Sequence, residues 1–366
     1  MAAVAFGAVT PASATMTGFR AVQGSQGWVD FNGDRKADIC YLYSNADIPT
    51  CLVSTGTGFG MQYQASGADP GYSAGRAWAD FNGDRKADYC RVIGGSYKML
   101  DCTVSNGSGF ASTYISAAVD AGYDEGRAWV DGNADGRADY CRVVGLWSYQ
   151  ISCTTSNGTG FANTFTSGNL DPGYNQGRSW VDVNGDNRAD YCRIVGNGPM
   201  YLACTLSTGV GFGTTITSTA LDPGYDDSRR WADVNGDGNA DYCRIVGSVN
   251  YASTTVQCTL SMGSGFGTTF TSDRMDAGTG GSGVWADFNG DGKDDYCRKS
   301  LGTYAGTCTV SNGTSFGLTY SAPVASQLMF GFADFNADGK ADVCRWESGT
   351  YRCTVSTGTG FGPTYS

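Results

Sequence analysis

The chain contains no histidine among its 366 residues. That removes Ser-His-Asp and Cys-His machinery and every histidine-ligated metal centre, since each needs an imidazole as base or ligand. No apolar run approaches the roughly 20 residues that a membrane-spanning helix needs. No stretch interleaves basic residues with aromatics, so the usual footprint of a nucleic-acid binder is missing. No segment holds a 3.6-residue apolar period, and 55 glycines weigh against helices. The chemistry must come from other residues.

Repetition supplies them. The stretch Asp30-Phe-Asn32-Gly-Asp34-Arg-Lys36-Ala-Asp38 is the first of seven copies, with Asp at places 1, 5 and 9 and Asn at place 3. The others are Asp80, Asn82, Asp84 and Asp88; Asp131, Asn133, Asp135 and Asp139; Asp182, Asn184, Asp186 and Asp190. Then come Asp233, Asn235, Asp237 and Asp241; Asp287, Asn289, Asp291 and Asp295; Asp334, Asn336, Asp338 and Asp342. Side-chain oxygens spaced by two residues along a tight turn converge on one point. That suits a hard cation wanting about six to eight oxygens. The place-7 backbone carbonyl, at Lys36, Lys86, Arg137, Arg188, Asn239, Lys293 and Lys340, is expected to complete each ring. Up to seven structural Ca²⁺ ions are expected. Arg35 and Arg85 stand at place 6, where glycine would relieve a positive φ, so loops one and two are expected to bind more weakly.

The charge balance agrees. Three aspartates in each of seven loops make 21 of the 35 acidic residues, leaving 14 against 24 lysines and arginines. Seven Ca²⁺ would carry the formal charge from −11 to +3. The acidity therefore marks cation sites and not a basic partner.

Loop starts lie 50, 51, 51, 51, 54 and 47 residues apart. A period near 50 implies a repeat architecture in which each unit buries apolar surface against its neighbour. In the fourth unit, 177–182, 190–195, 201–207 and 211–217 alternate, are rich in β-branched and aromatic residues, and are separated by Gly/Asn turns. Four antiparallel strands repeated seven times predict an all-β, seven-bladed propeller.

A Gly-Phe-Gly strand followed by Asp-x-Asn-x-Asp-x-x-x-Asp resembles the FG-GAP (VCBS) repeat of integrin-α-like propellers. The resemblance covers residues 19–366 as one domain. It implies that each loop joins the first and second strands of a blade and binds Ca²⁺ through the residues named above. Residues 1–18 stand apart: Ala12-Ser13-Ala14 is like a signal-peptidase site, whereas residues 5–10 mimic the Gly-Phe-Gly strand and would pair with the edge of the last blade.

Each unit carries two cysteines: Cys40 with Cys51, Cys90 with Cys102, Cys141 with Cys153, Cys192 with Cys204, Cys243 with Cys258, Cys297 with Cys308, and Cys344 with Cys353. Within each pair, one lies on the second strand and one on the third, so a repeat favours one bridge inside each blade over scrambled pairing. Zinc is a poor alternative, because the close ligand spacing of structural sites is absent. An oxidising, secreted setting follows.

Units two to five share Asp-x-Gly-Tyr-x-x-(Gly/Ser)-Arg before the first strand. The four sets are Asp69, Tyr72 and Arg76; Asp120, Tyr123 and Arg127; Asp171, Tyr174 and Arg178; and Asp222, Tyr225 and Arg229. An aromatic face with an acceptor and a fork of donors suits a sugar ring. The segment also resembles the approach to the first strand in fungal lectins of the Psathyrella velutina type, whose sugar sites lie between blades. The alternative is an interblade clasp, with each Arg tying one blade to the next.

The recurring tryptophans, Trp28 to Trp285, and the fourth-strand phenylalanines read as packing between blades. Arg91 and its equivalents are placed to form interblade ion pairs. Asn106, Asn157 and Asn312 begin Asn-Gly-Ser/Thr sequons at one hairpin turn. Ser315, in Gly313-Thr-Ser315-Phe-Gly317, matches a nucleophile elbow only as a variant of the repeat, and no catalytic residue is expected. Two functions stand: a multivalent carbohydrate-binding propeller engaging glycans or glycoproteins, and a structural or adhesive scaffold binding protein or copies of itself.

Overall fold

The computed structural model describes residues 22–23, 26–43, 47–247, 254–279, 283–325 and 330–366. Its strands form seven antiparallel sheets, each built on four strands taken consecutively from one unit, with one extra short strand on the second. Blade four has strands Ser179–Val181, Asp190–Val195, Tyr201–Ser207 and Phe212–Thr217, within a residue or two of the sequence expectation. The aspartate-rich loop lies between the first and second strands.

All seven within-blade disulfides form. Cys40 bonds Cys51, Cys90 bonds Cys102, Cys141 bonds Cys153 and Cys192 bonds Cys204. Cys243 bonds Cys258, Cys297 bonds Cys308 and Cys344 bonds Cys353. The cause is hairpin register, which sets each second-strand cysteine directly opposite its third-strand partner.

The apolar core sits between blades. Trp78 and Tyr89 of blade two pack with Phe31 and Cys40 of blade one, and the other clusters repeat this arrangement. Phe110 of blade two meets Phe31 of the preceding loop at 5.1 Å. Where place 2 of the loop is Gly132 instead, Phe212 turns to Phe165 at 5.2 Å. The tryptophans expected between blades are there: Trp129 and Trp180 donate from Nε1 to Gly75 and Gly126 carbonyls of the preceding unit.

Among the described residues the ring closes by packing between blades seven and one. Blade seven draws its four strands from Phe330–Ala333 onward, and Phe59 of blade one meets Phe335 at 5.2 Å. Val22–Gln23 adds a short fifth strand to blade two, pairing with Ala77 and Trp78. Residues 1–18, with both readings of their role, lie outside the described residues.

Arg91 and its equivalents correct an expectation. They do not bridge blades. Arg91 pairs with Asp101 at 2.9 Å directly across its own hairpin. Arg142, Arg193, Arg244 and Arg298 each donate to a threonine on the neighbouring third strand of the same blade.

Candidate functional site

Each loop folds around its place-1 carboxylate. Asp30 accepts N–H bonds from Gly33, Asp34 and Arg35, while Asn32 accepts from Asp34 and Asp34 from Lys36. The bends require left-handed backbone at two places. Place 6 has φ +70° at Arg35, +66° at Arg85 and +64° at Asn187, and glycine elsewhere. Place 4 is also left-handed, at +62° in Ala134 and +61° in Ala337, a demand the sequence reading missed.

Asp38, at place 9, is buried. Its Oδ2 accepts Phe31 N–H at 2.9 Å and its Oδ1 accepts Ser54 N–H at 2.7 Å, which pins the loop to the third strand. The same two bonds recur in the other six loops. Burial, with Asp30 and Asp34 adding repulsion, pushes the Asp38 carboxyl up to about 8. The place-7 side chain has a role beyond its carbonyl. Lys36 reaches Asp34 at 2.9 Å, and Lys86, Arg137, Arg188, Lys293 and Lys340 pair likewise with their place-5 aspartates.

These residues fit calcium by donor chemistry. In loop one the oxygens of Asn32, Asp34 and Asp38 each accept one hydrogen bond, which leaves each a second lone pair. Among the described residues no three His, Cys, Asp or Glu side chains form a ready chelating cluster. A cation would therefore draw on the Asn and carbonyl oxygens as well as the carboxylates.

The loops are also joined to one another. The place-8 N–H of each donates to the place-1 carbonyl of the preceding loop at 2.7–2.8 Å, from Ala87 to Asp30 round to Ala37 to Asp334. A third-strand serine hydroxyl adds a bond to the preceding place-2 carbonyl, as Ser105 does to Phe31. Seven such links close a ring.

The Asp-x-Gly-Tyr-Arg segments lie against the second strand of their own blade. Asp69, Asp120, Asp171 and Asp222 each accept the N–H two residues on, so these carboxylates shape turns. Gly122 is obligatory: at φ +73° an added Cβ would sit 2.6 Å from the Val143 carbonyl oxygen. Tyr72, Tyr123, Tyr174 and Tyr225 donate their hydroxyls to Gly94, Gly145, Gly196 and Gly247 at the hairpin tips. Two of the rings stand out of the core, Tyr72 at 43% and Tyr174 at 42% exposure, whereas Tyr123 and Tyr225 are partly buried and pack against interblade clusters.

The arginines behave as clasps. Arg127 donates to Ala121 and Gly122 carbonyls in its own segment and to Ala74 of the preceding one; Arg178 and Arg229 reach Glu125 and Gln176 in the same way. Arg76 reaches Asp47 of unit one at 3.3 Å. Arg127, Arg178 and Arg229 thus each tie their own segment to the preceding one. Tyr72 shares a cavity wall with the next unit's Arg127, and the Arg178 charge lies near enough to act on Tyr123; the repeat sets Arg229 at the equivalent place after Tyr174. Tyr225 precedes unit six, which has Gly283 in place of arginine.

Between blades two and three this arrangement leaves a cavity of about 270 Å³, lined by Tyr72, Ser73, Ala74, Val92, Lys98, Asp124 and Arg127. The Lys98 ammonium lies 3.7 Å from the Tyr72 ring centroid, and Asp124 pairs with Arg127 at 2.7 Å. Ser73, Lys98 and Asp124 were not picked out from the sequence; Ser73 and Asp124 had position beside a repeated Tyr as their one signal, and Lys98, in the hairpin after the second strand, had none. Because these two rings are half-exposed, Tyr72→Ala and Tyr174→Ala should each cost only about 1 kcal/mol, as for one lost hydrogen bond. The buried Tyr89→Ala should cost about 3–5 kcal/mol, both read from urea denaturation.

No family model matches the chain. A solved Agrocybe aegerita lectin, described for specific recognition of non-reducing terminal N-acetylglucosamine, superposes with TM-score 0.58 at 19% identity, covering 94% of this chain and 90% of that one. The chain is a seven-bladed β-propeller built like a fungal lectin. The Photorhabdus luminescens Tc holotoxin pore matches with TM-score 0.50 at 14% identity, over 87% of this chain and 18% of that one. The NAD(+)–arginine ADP-ribosyltransferase Chelt of Vibrio cholerae is 36% identical over 104 residues, which is 28% of this chain and 17% of that protein's length. These two matches concern a part of much longer chains.

Proposed function

We propose that the protein is a secreted glycan-binding propeller, multivalent and stabilised by calcium, with no catalytic role. The observation that carries this is the cavity between blades two and three, where the half-exposed Tyr72 ring and the partly exposed Ala74 offer an apolar face beside Ser73, Lys98 and Asp124. Apolar surface with a few convergent polar groups is what a sugar needs. The Agrocybe aegerita lectin is a propeller of the same architecture and recognises a terminal sugar, which supports the ligand class assigned here. The seven disulfides support an oxidising, extracellular setting. Asp30, Asn32, Asp34, Asp38 and their equivalents would hold Ca²⁺ at the loops, where its charge would offset the buried carboxylates and brace the blades.

One observation favours the scaffold reading: the arginines spend their donors on backbone carbonyls. They therefore position the cavity wall, and the tyrosines are left to meet ligand. A glycan array tests the assignment, probed with calcium-loaded wild type and with a variant combining Tyr72→Ala, Tyr123→Ala and Tyr174→Ala. Strong wild-type signal lost in the folded variant is expected. Absence of signal from any glycan would leave the scaffold reading standing.

A further inference from the structure

Two aromatic side chains stand almost fully in solvent beside the interblade tyrosines. Trp147 is 97% and Tyr97 77% exposed. A lone exposed apolar residue needs no explanation, but these two occupy matching tips of the hairpin between the second and third strands of blades three and two. Each tip is tied to the site. The Gly94 carbonyl that begins one turn accepts the Tyr72 hydroxyl, and Gly145 in the other accepts that of Tyr123. Lys98, next to Tyr97, lines the cavity, and Tyr149, two residues after Trp147, packs on Tyr123 at 5.6 Å. Blade four has Asn197-Gly198-Pro199 at the same turn and no aromatic.

The cavity of about 270 Å³ holds one pyranose ring and little more. Lys98 of the cavity wall belongs to the hairpin tip that carries Tyr97, so a sugar bonded to the first and running along that wall would meet the tip. We propose that Tyr97 and Trp147 are outer subsites that stack the following sugars, so that blades two and three bind an oligosaccharide and not only its terminal residue. Rigid amphipathic rings give large contact area at low entropic cost. This inference rests on the glycan reading above.

The test is an array printed with each terminal sugar both as a monosaccharide and at the end of a trisaccharide. It is probed with wild type, Tyr97→Ala and Trp147→Ala, each first shown to melt like wild type. Wild type should prefer the trisaccharide by about tenfold, and each variant should lose several-fold of that preference while monosaccharide signal holds. In parallel, the trisaccharide should shield from acrylamide a tryptophan signal that Trp147→Ala lacks. Equal signal from both ligands, unchanged by either variant, would overturn the outer subsites and spare the cavity. No signal from any sugar would overturn the glycan reading, and the subsites with it.

Discussion

Reduction of the seven disulfides should unfold the protein at room temperature. Each bridge spans between 9 and 15 residues of chain, from Cys344 with Cys353 at the short end to Cys243 with Cys258 at the long one. In the chain-entropy treatment a loop of that size contributes about 3 kcal/mol, so seven contribute about 20. A folded domain has only about 5–15 kcal/mol to lose. All 14 cysteines are fully buried, so a reductant reaches them only through opening of the blades. Reduction should therefore be slow in native buffer and fast in mild urea. Circular dichroism melts on protein shown by thiol titration to be fully reduced decide the matter; a melting temperature within a few degrees of the oxidised protein would contradict the prediction.

Removing calcium should have the second-largest effect. At free Ca²⁺ ten times the dissociation constant each loop gains about 1.4 kcal/mol, and seven together about 10. The place-8 to place-1 bonds join the loops in one ring, so the loss should appear as a single transition moving downward in chelator. Calorimetry with and without chelator, beside equilibrium dialysis, measures both; two ions or fewer per chain would end the assignment. Arg85, at φ +66°, carries a strain that glycine would release, so Arg85→Gly should stabilise by about 1 kcal/mol and raise calcium affinity at that loop.

Much of this was legible in the residues. Cys192 and Cys204 lie on the two strands of one hairpin and the pair recurs in every unit, so the repeat pointed to a bridge within the blade, and the register sets the two opposite each other. The strand at Asp190–Val195 begins on the last loop aspartate because that carboxylate must reach back to Val183 and across to Ser207. The site was harder to read. Asp171, Tyr174 and Arg178 look like one constellation because they are adjacent in the chain, yet Arg178 donates to Glu125 of the previous unit and so serves Tyr123. A repeat shows which residues are equivalent and hides which are neighbours across the blade interface. Arg91 was misjudged for a related reason, since its partner Asp101 is revealed only by strand register.

On the proposed glycan reading, sugars bind where one blade's tyrosine meets the next blade's arginine. Calorimetric titration of the calcium-loaded protein with the strongest monosaccharide from the array tests it most directly. Three equivalents per chain are predicted, with one lost in each of Tyr72→Ala, Tyr123→Ala and Tyr174→Ala and none lost in Tyr225→Ala. No heat of binding, or a stoichiometry unmoved by those three substitutions, would contradict the claim.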